Sequence, residues 1–226
     1  MATVDGMQNR LRSIGGAGRG TVRVGAIPTI APYLLPETMK RFAKEFPDAE
    51  VALTENLTDH VVRSVLSGEL DAALIATPTT DERLIVESLG VEELLLALPR
   101  RHRLARRRKP VWNDLESEPF VLLDELHCLG EQIVGFCTQQ GCVPTVSCRG
   151  VQLLTIQELV AQGNGVSLLP ASAAASDRGR RCVYRSLRSP RPTRTIRLIR
   201  RRDRYRLPIV DSFVECLRRM TIPAPL

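Results

Sequence analysis

Residues 120–139 read FVLLDELHCLGEQIVGFCTQ. The run 120–123 is four large apolar side chains in a row and reads as a short strand. Residues 124–127 turn the chain, and a helical stretch from about Cys128 to Gln139 follows. A strand that feeds a helix through a short loop is half of a β-α-β unit. The same unit recurs on both sides. Upstream, 21–26 reads as a strand, and after Pro28-Thr29 a helical pattern runs through Phe46 with Leu34, Leu35, Met39, Phe42, Ala43 and Phe46 on one face. Residues 50–54 form a strand, and a short helix with Val61, Val62, Val65 and Leu66 stops at Gly68. Residues 70–76, apolar apart from Asp71, read as a strand buried on both faces, and 83–87 and 92–98 read as two further strands. Downstream come a strand at 145–148, a helix at 154–162 and a strand at 166–169, with Gly163 and Gly165 bracketing the turn between the last two. Strands at 183–187 and 195–200 precede a C-terminal helix from about Pro208 to Met220.

Repeated β-α-β with short links predicts parallel sheets flanked by helices, arranged as two α/β lobes. Such lobes take ligands at the carboxyl ends of their strands or between them. No apolar run reaches the ~18–20 residues of a membrane span, and the N-terminus MATVDGMQNRLRSIGG lacks the apolar core of a secretion signal. The expected compartment is the cytoplasm, where six cysteines are reduced, reactive or buried rather than a disulfide framework. Three His and no CxxC pair give no metal-ligand cluster, and no cofactor motif is present.

The net charge of +7 is uneven: residues 178–206 hold 13 Arg and one acid, and 100–109 add seven further positive charges. Two basic stretches on an acidic body attract polyanions, or they are a solvated Arg-rich surface without interleaved stacking aromatics. At the N-terminus, Val4, Met7, Leu11 and Ile14 step as a heptad fragment, read either as the tail of a longer helix or as a frayed end.

Chemistry concentrates in the opening stretch. Cys128 stands where a loop enters a helix, and the free N–H groups and positive dipole end there favour a thiolate. The alternative for any single Cys is a small buried hydrophobe. Cys137 lies nine residues on. Across an intact helix the pair is separated by about 13 Å of rise and faces opposite sides, whereas a disulfide needs Cα atoms within roughly 4.4–6.8 Å. The two thiols can join only if the helix unwinds, which describes a switch rather than a staple.

This stretch resembles the OxyR family, hydrogen-peroxide-inducible activators among the LysR-type regulators, through His127, Cys128, Leu129, Glu131, Gln132, Gly135, Phe136 and Cys137. Gly25-Ala26-Ile27-Pro28-Thr29 with Pro32-Tyr33-Leu34-Leu35-Pro36 looks like the family's first strand-to-helix turn. Residues 163–170 (GNGVSLLP) resemble a Gly-x-Gly turn shared by LysR-type domains generally.

The resemblance implies a regulatory domain of periplasmic-binding-protein-like (type 2) fold, with two Rossmann-like lobes and a cleft between them. Residues 20–91 with 197–226 would form lobe I, 92–196 lobe II, and 1–19 the tail of a linker helix. Cys128 would be peroxidatic and Cys137 resolving. Thr29, Thr58 and His127 would place the peroxide, and Arg194 would support the thiolate. Read without the family, Thr29 and Thr58 sit where helix N-caps belong, and Arg194 is one arginine among many. The implied partners are hydrogen peroxide, further copies of the chain as dimer or tetramer, a cellular disulfide reductant, and RNA polymerase. DNA would be bound only through an N-terminal winged helix-turn-helix, for which nothing before Thr21 has the length.

The family usually has a basic residue where Gly130 stands and Asp where Glu131 stands. Cys142 and Cys148 lie near enough in sequence to compete with Cys137, whereas Cys182 and Cys216 read as core. Two other functions share these residues. A LysR-type domain binding a small metabolite would make the cysteines incidental. A thiol peroxidase would use Cys128 in turnover, but no thioredoxin-like CxxC or peroxiredoxin pattern accompanies it.

Overall fold

The computed structural model describes residues 18–124, 127–205 and 207–223. The heptad fragment at 4–14 lies outside the described residues, as do Glu125 and Leu126 of the segment carrying Cys128 and Cys137. In chain order the elements are β1 (Gly20–Ala26), α1 (Ala31–Glu45), β2 (Ala49–Glu55), α2 (Thr58–Ser67) and β3 (Ala72–Ile75), then the long β4 (Leu84–Leu98). After two 3-10 turns at Arg103–Arg106 and Trp112–Leu115 come β5 (Pro119–Leu123), α3 (Cys128–Gln139), β6 (Thr145–Gly150) and α4 (Leu153–Ala161). The chain ends with β7 (Ser167–Pro170), α5 (Ala171–Ser176), β8 (Val183–Arg185), β9 (Thr193–Arg201) and α6 (Pro208–Arg218).

Two compact units result: Met1–Gly90 with Thr195–Thr221, and Val91–Arg194 with Ile222–Leu226. In the first, β1 pairs in parallel with β2 on one side and β3 on the other. The return strand β9 then adds antiparallel to β3, with Ala73 opposite Ile199. All four residues of β3 are buried, as a strand sandwiched between helices must be. Beside that sheet, Phe42 of α1 meets Phe213 of α6 edge-to-face, ring centroids 5.0 Å apart, the geometry that aligns one ring's positive edge with the other's negative face. Gly68 ends α2 in the left-handed region at φ 81°, where a side chain would be strained.

In the second unit β5 and β6 pair in parallel, while β7 and β8 both run antiparallel to β4. The sheets are therefore mixed rather than purely parallel. The antiparallel partners reach their neighbours from distant parts of the chain, and local periodicity carries no sign of that pairing. The expected strands at 83–87 and 92–98 are one strand, β4. Ser88 and Val91 are both exposed, so the in/out alternation shifts by one residue across Gly90 while the strand itself continues. Helix α5 went unread because ASAAAS has no apolar stripe.

The basic stretches are stitched into the units. Arg204 donates to the carbonyls of Gly68 and Leu70 at 2.6 and 2.7 Å and pairs with Asp71. Arg185 donates to the carbonyls of Ala105 and Arg107, and Arg107 pairs with Asp114. Much of the positive charge thus ties loops down. No helix among the described residues is long and apolar enough to cross a membrane.

Candidate functional site

The segment carrying Cys128 and Cys137 is built on β5. Phe120, Val121, Leu122 and Leu123 are buried to 2% or less exposure, and Leu123 is in register with Gly150 of β6. At the strand's carboxyl end the Asp124 N–H donates to the Gly150 carbonyl at 2.8 Å, and the His127 N–H donates to the Asp124 carbonyl at 2.9 Å. These bonds fix where the chain turns. His127 is the extended N-cap residue of α3, with no side-chain capping bond, and Cys128 is the first helical residue. Cys128 is partly exposed. It therefore combines solvent access with the positive end of a helix, the setting in which a thiolate is favoured and reachable.

Gly130 has a steric reason. A Cβ there would lie 2.6 Å from the Leu123 carbonyl oxygen and 3.2 Å from that of Asp124. The first turn of α3 rests on the end of β5, and the family's basic residue would not fit without moving one of them.

The inward face of α3 carries Leu129, Gly130, Ile133 and Cys137. All six cysteines are thiols, with none in a disulfide. The unbroken helix holds Cys128 and Cys137 about 13 Å apart along its axis. Burial, then the neighbouring Cys142, pushes the Cys137 thiol up to about 12. In this conformation Cys137 is a protonated, sheltered group that cannot reach Cys128.

Helix α3 ends in a Schellman motif. The Gly141 N–H donates to the Thr138 carbonyl at 3.0 Å and the Cys142 N–H to the Cys137 carbonyl at 2.9 Å, with Gly141 left-handed at φ 74°. This motif places the residue after the glycine against the helix's third-last residue, and here both are cysteines. The backbone bond therefore sets the two buried thiols on the same side of the helix end. Cys142 is itself buried, at 3% exposure. Cys148 is partly exposed on β6, while Cys182 and Cys216 are buried as expected of core residues.

Arg194, at the start of β9, pairs with Glu92 of β4 at 2.8 Å, and neither side chain has any solvent exposure. The other oxygen of Glu92 accepts the Ser172 N–H at 2.8 Å. Sequence gave no sign of Glu92, since its partner lies 102 residues away.

In the first unit, Thr29 lies in the turn after β1, 2% exposed, and Thr58 opens α2 just after β2. Neither is an N-cap: those positions belong to Ile30 and Leu57, which make no side-chain cap bond. Thr29 and Thr58 thus follow the carboxyl ends of β1 and β2, and His127 and Cys128 that of β5, where α/β folds bind ligands, whereas Cys137 lies near the end of α3 and Arg194 at the start of β9. Thr29 and Thr58 are in the first unit, and His127, Cys128, Cys137 and Arg194 are in the second.

The chain matches the LysR substrate binding domain over residues 15–221. It is 36% identical over 207 residues to a hydrogen peroxide-inducible genes activator of Dickeya chrysanthemi, covering 89% of this chain and 68% of that protein. Among solved structures it is similar to a reduced form of OxyR, with TM-score 0.79 and 33% identity over 90% of this chain and 97% of the other. It is also similar to an oxidised form, with TM-score 0.77 and 34% identity over 90% and 97%. The chain spans 61–68% of the length of three curated relatives that it matches at 36% identity.

Proposed function

The chain belongs to the LysR substrate binding domain family, and from that premise we propose that it is the peroxide-sensing regulatory domain of an OxyR-type transcription activator, not an enzyme. The observation that carries this reading is the placement of two cysteines on one helix, Cys128 partly exposed at its start and Cys137 buried nine residues on, within a sequence similar to peroxide-inducible activators. The Cys128 thiolate attacks one oxygen of hydrogen peroxide. An S–O bond forms, the O–O bond breaks, and the departing oxygen leaves as water after taking a proton. Helix α3 then unwinds, and the Cys137 thiolate attacks the sulfenic sulfur, forming the S–S bond and expelling the second oxygen as water.

Thr29, Thr58 and His127 place the peroxide by hydrogen bonds. Arg194, held by Glu92, supports the thiolate. Unwinding of α3 removes a buried face and changes how copies of the chain associate as dimer or tetramer. In the whole protein, operator DNA is bound by an N-terminal winged helix-turn-helix, RNA polymerase receives the signal, and a cellular disulfide reductant resets it, all in the cytoplasm.

The test is peroxide treatment of the reduced chain with rapid acid quenching, alkylation and peptide mapping. No Lys or Arg separates Cys128 from Cys148, so trypsin must be joined by a glutamate-specific protease that cuts at Glu131, and fragmentation of the linked peptides must assign the bond among Cys137, Cys142 and Cys148, which share one peptide. A Cys128–Cys137 link at the earliest times, lost in Cys128→Ser, is expected. Finding Cys128 only overoxidised, or linked first to Cys142, would overturn the reading.

A further inference from the structure

The backbone bond between Cys142 and Cys137 has no part in the two-cysteine switch, yet it sets a third cysteine beside the buried resolving thiol. From it we infer that Cys142 is a further redox residue, which takes over Cys137 from the Cys128–Cys137 disulfide and leaves a Cys137–Cys142 disulfide with Cys128 free. This rests on the peroxide-sensing reading above and extends it.

Three observations carry the inference. First, the pairing is dictated by the backbone: the Cys142 N–H bonds to the Cys137 carbonyl at 2.9 Å and Gly141 supplies the left-handed turn, so the two side chains are delivered to one another by the way the helix ends. Second, the two possible disulfides demand opposite states of α3. Joining Cys128 to Cys137 requires the helix to unwind, because about 13 Å of rise otherwise separates them. Joining Cys137 to Cys142 is compatible with the helix whole, because the turn that ends the intact helix already brings the two residues together. The second disulfide therefore allows the buried face of Leu129, Ile133 and Cys137 to return to the core. Third, the sulfurs differ in their chemistry. As the exchange lets α3 re-form, the released Cys128 regains the positive end of the helix, where its thiolate is favoured.

The exchange consumes no oxidant and no reductant. The Cys142 thiolate attacks Sγ of Cys137; the new S–S bond forms as the bond to Cys128 breaks, and Cys128 leaves as thiolate. Cys142 loses one proton to water before attack, and the peroxide has already supplied the two-electron oxidation. In the reduced fold the step is silent, since both thiols are buried and protonated. Unwinding of α3 exposes them. The consequence is a response that ends by itself: the conformation that signals decays as the disulfide moves, and the sensing thiol is restored before any cellular reductant acts.

The experiment is a quenched time course on the reduced chain and on Cys142→Ser, each given stoichiometric peroxide and mapped by double digestion. In the native chain the Cys128–Cys137 link should rise first. It should then fall as a Cys137–Cys142 link replaces it and Cys128 regains reactivity toward N-ethylmaleimide. In Cys142→Ser the first link should persist. The time course of the native chain is decisive even if that variant folds poorly, and Cys142→Ala with an unchanged circular-dichroism spectrum is the second variant. A Cys128–Cys137 link that persists equally in both proteins would overturn this inference and leave the peroxide switch standing. A Cys137–Cys142 link that also forms in Cys128→Ser would overturn it as well, because no transfer would be involved. Absence of any Cys128–Cys137 link in either protein would overturn the switch itself.

Discussion

Cys142 is bonded to Cys137 across the end of α3, its N–H 2.9 Å from the Cys137 carbonyl oxygen. The same helix separates Cys137 from Cys128 by its length. One element therefore holds a thiol away from one partner and against another, and its integrity decides which partner is available.

Gly141 is the residue on which that arrangement turns. Nothing lies within 4 Å of where its Cβ would be, so Gly141→Ala meets no clash and carries only the strain of a left-handed alanine, about 1–2 kcal/mol. Urea unfolding should show a loss of that size, with Cys142 becoming more reactive toward alkylation in the folded protein. An unchanged midpoint would mean that the turn relaxes at no cost.

Gly130 poses the opposite problem. Its Cβ would press on the backbone carbonyls of Leu123 and Asp124, which cannot swing aside as a flexible side chain can. Gly130→Ala should destabilise by about 1–3 kcal/mol, the usual range for overpacking, and should loosen the seat of α3 on β5. Faster formation of the Cys128–Cys137 link in the variant would show that this seat restrains the switch. Stability equal to the native chain would show that α3 shifts freely.

Arg194→Ala should cost about 3–5 kcal/mol, because it strands the buried Glu92 carboxylate without its charge partner. The double variant Arg194→Met with Glu92→Gln should recover part of that loss by removing the unpaired charge. Equal midpoints for the single and double variants would refute the pairing as the cause. Peroxide reactivity of Cys128 in the double variant then separates a thiolate-supporting role for Arg194 from a structural one.

Thiol accessibility gives a further test. Cys128 and Cys148 are partly exposed, and Cys137, Cys142, Cys182 and Cys216 are buried. In the reduced folded chain the first two should take up N-ethylmaleimide well before the other four, and denaturation should abolish the difference. Early labelling of Cys137 would mean that α3 opens without oxidation.

How far these features were readable beforehand follows from their range in sequence. The bounds of α3 and the incompatibility of Cys128 with Cys137 are local, set by periodicity and rise per residue, and both stood out in the residues alone. The Cys137–Cys142 contact was local too; its signal was a glycine between a helix end and a second cysteine, the pattern of a Schellman turn. Glu92 beneath Arg194 and the antiparallel return of β9 beside β3 depend on residues far apart along the chain, and no window of sequence contains both partners. The roles of Thr29 and Thr58 as caps were misjudged by one position, because Ile30 and Leu57 take the cap geometry without offering a capping side chain.

Alkaline pH should reveal the buried thiols as a loss of stability. Against an ordinary value of 9.0, burial first and Cys142 second raise Cys137 to about 12; burial first and Asp177 second raise Cys182 to about 11. A raised thiol means that the folded state keeps a proton that the unfolded state releases. Below about pH 9 both states are protonated, and the full stability is present. Above it the unfolded chain ionises first, and stability falls with a slope of up to about 1.4 kcal/mol per pH unit for each such thiol. The fall continues until the folded thiols ionise as well. Urea midpoints should therefore be level from neutral pH to about 8.5 and decline steeply beyond, and Cys182→Ala should make the decline shallower. A midpoint that stays level into the alkaline range would show that these thiols are open to water, and with it would fall the sheltering of Cys137 on which the switch depends.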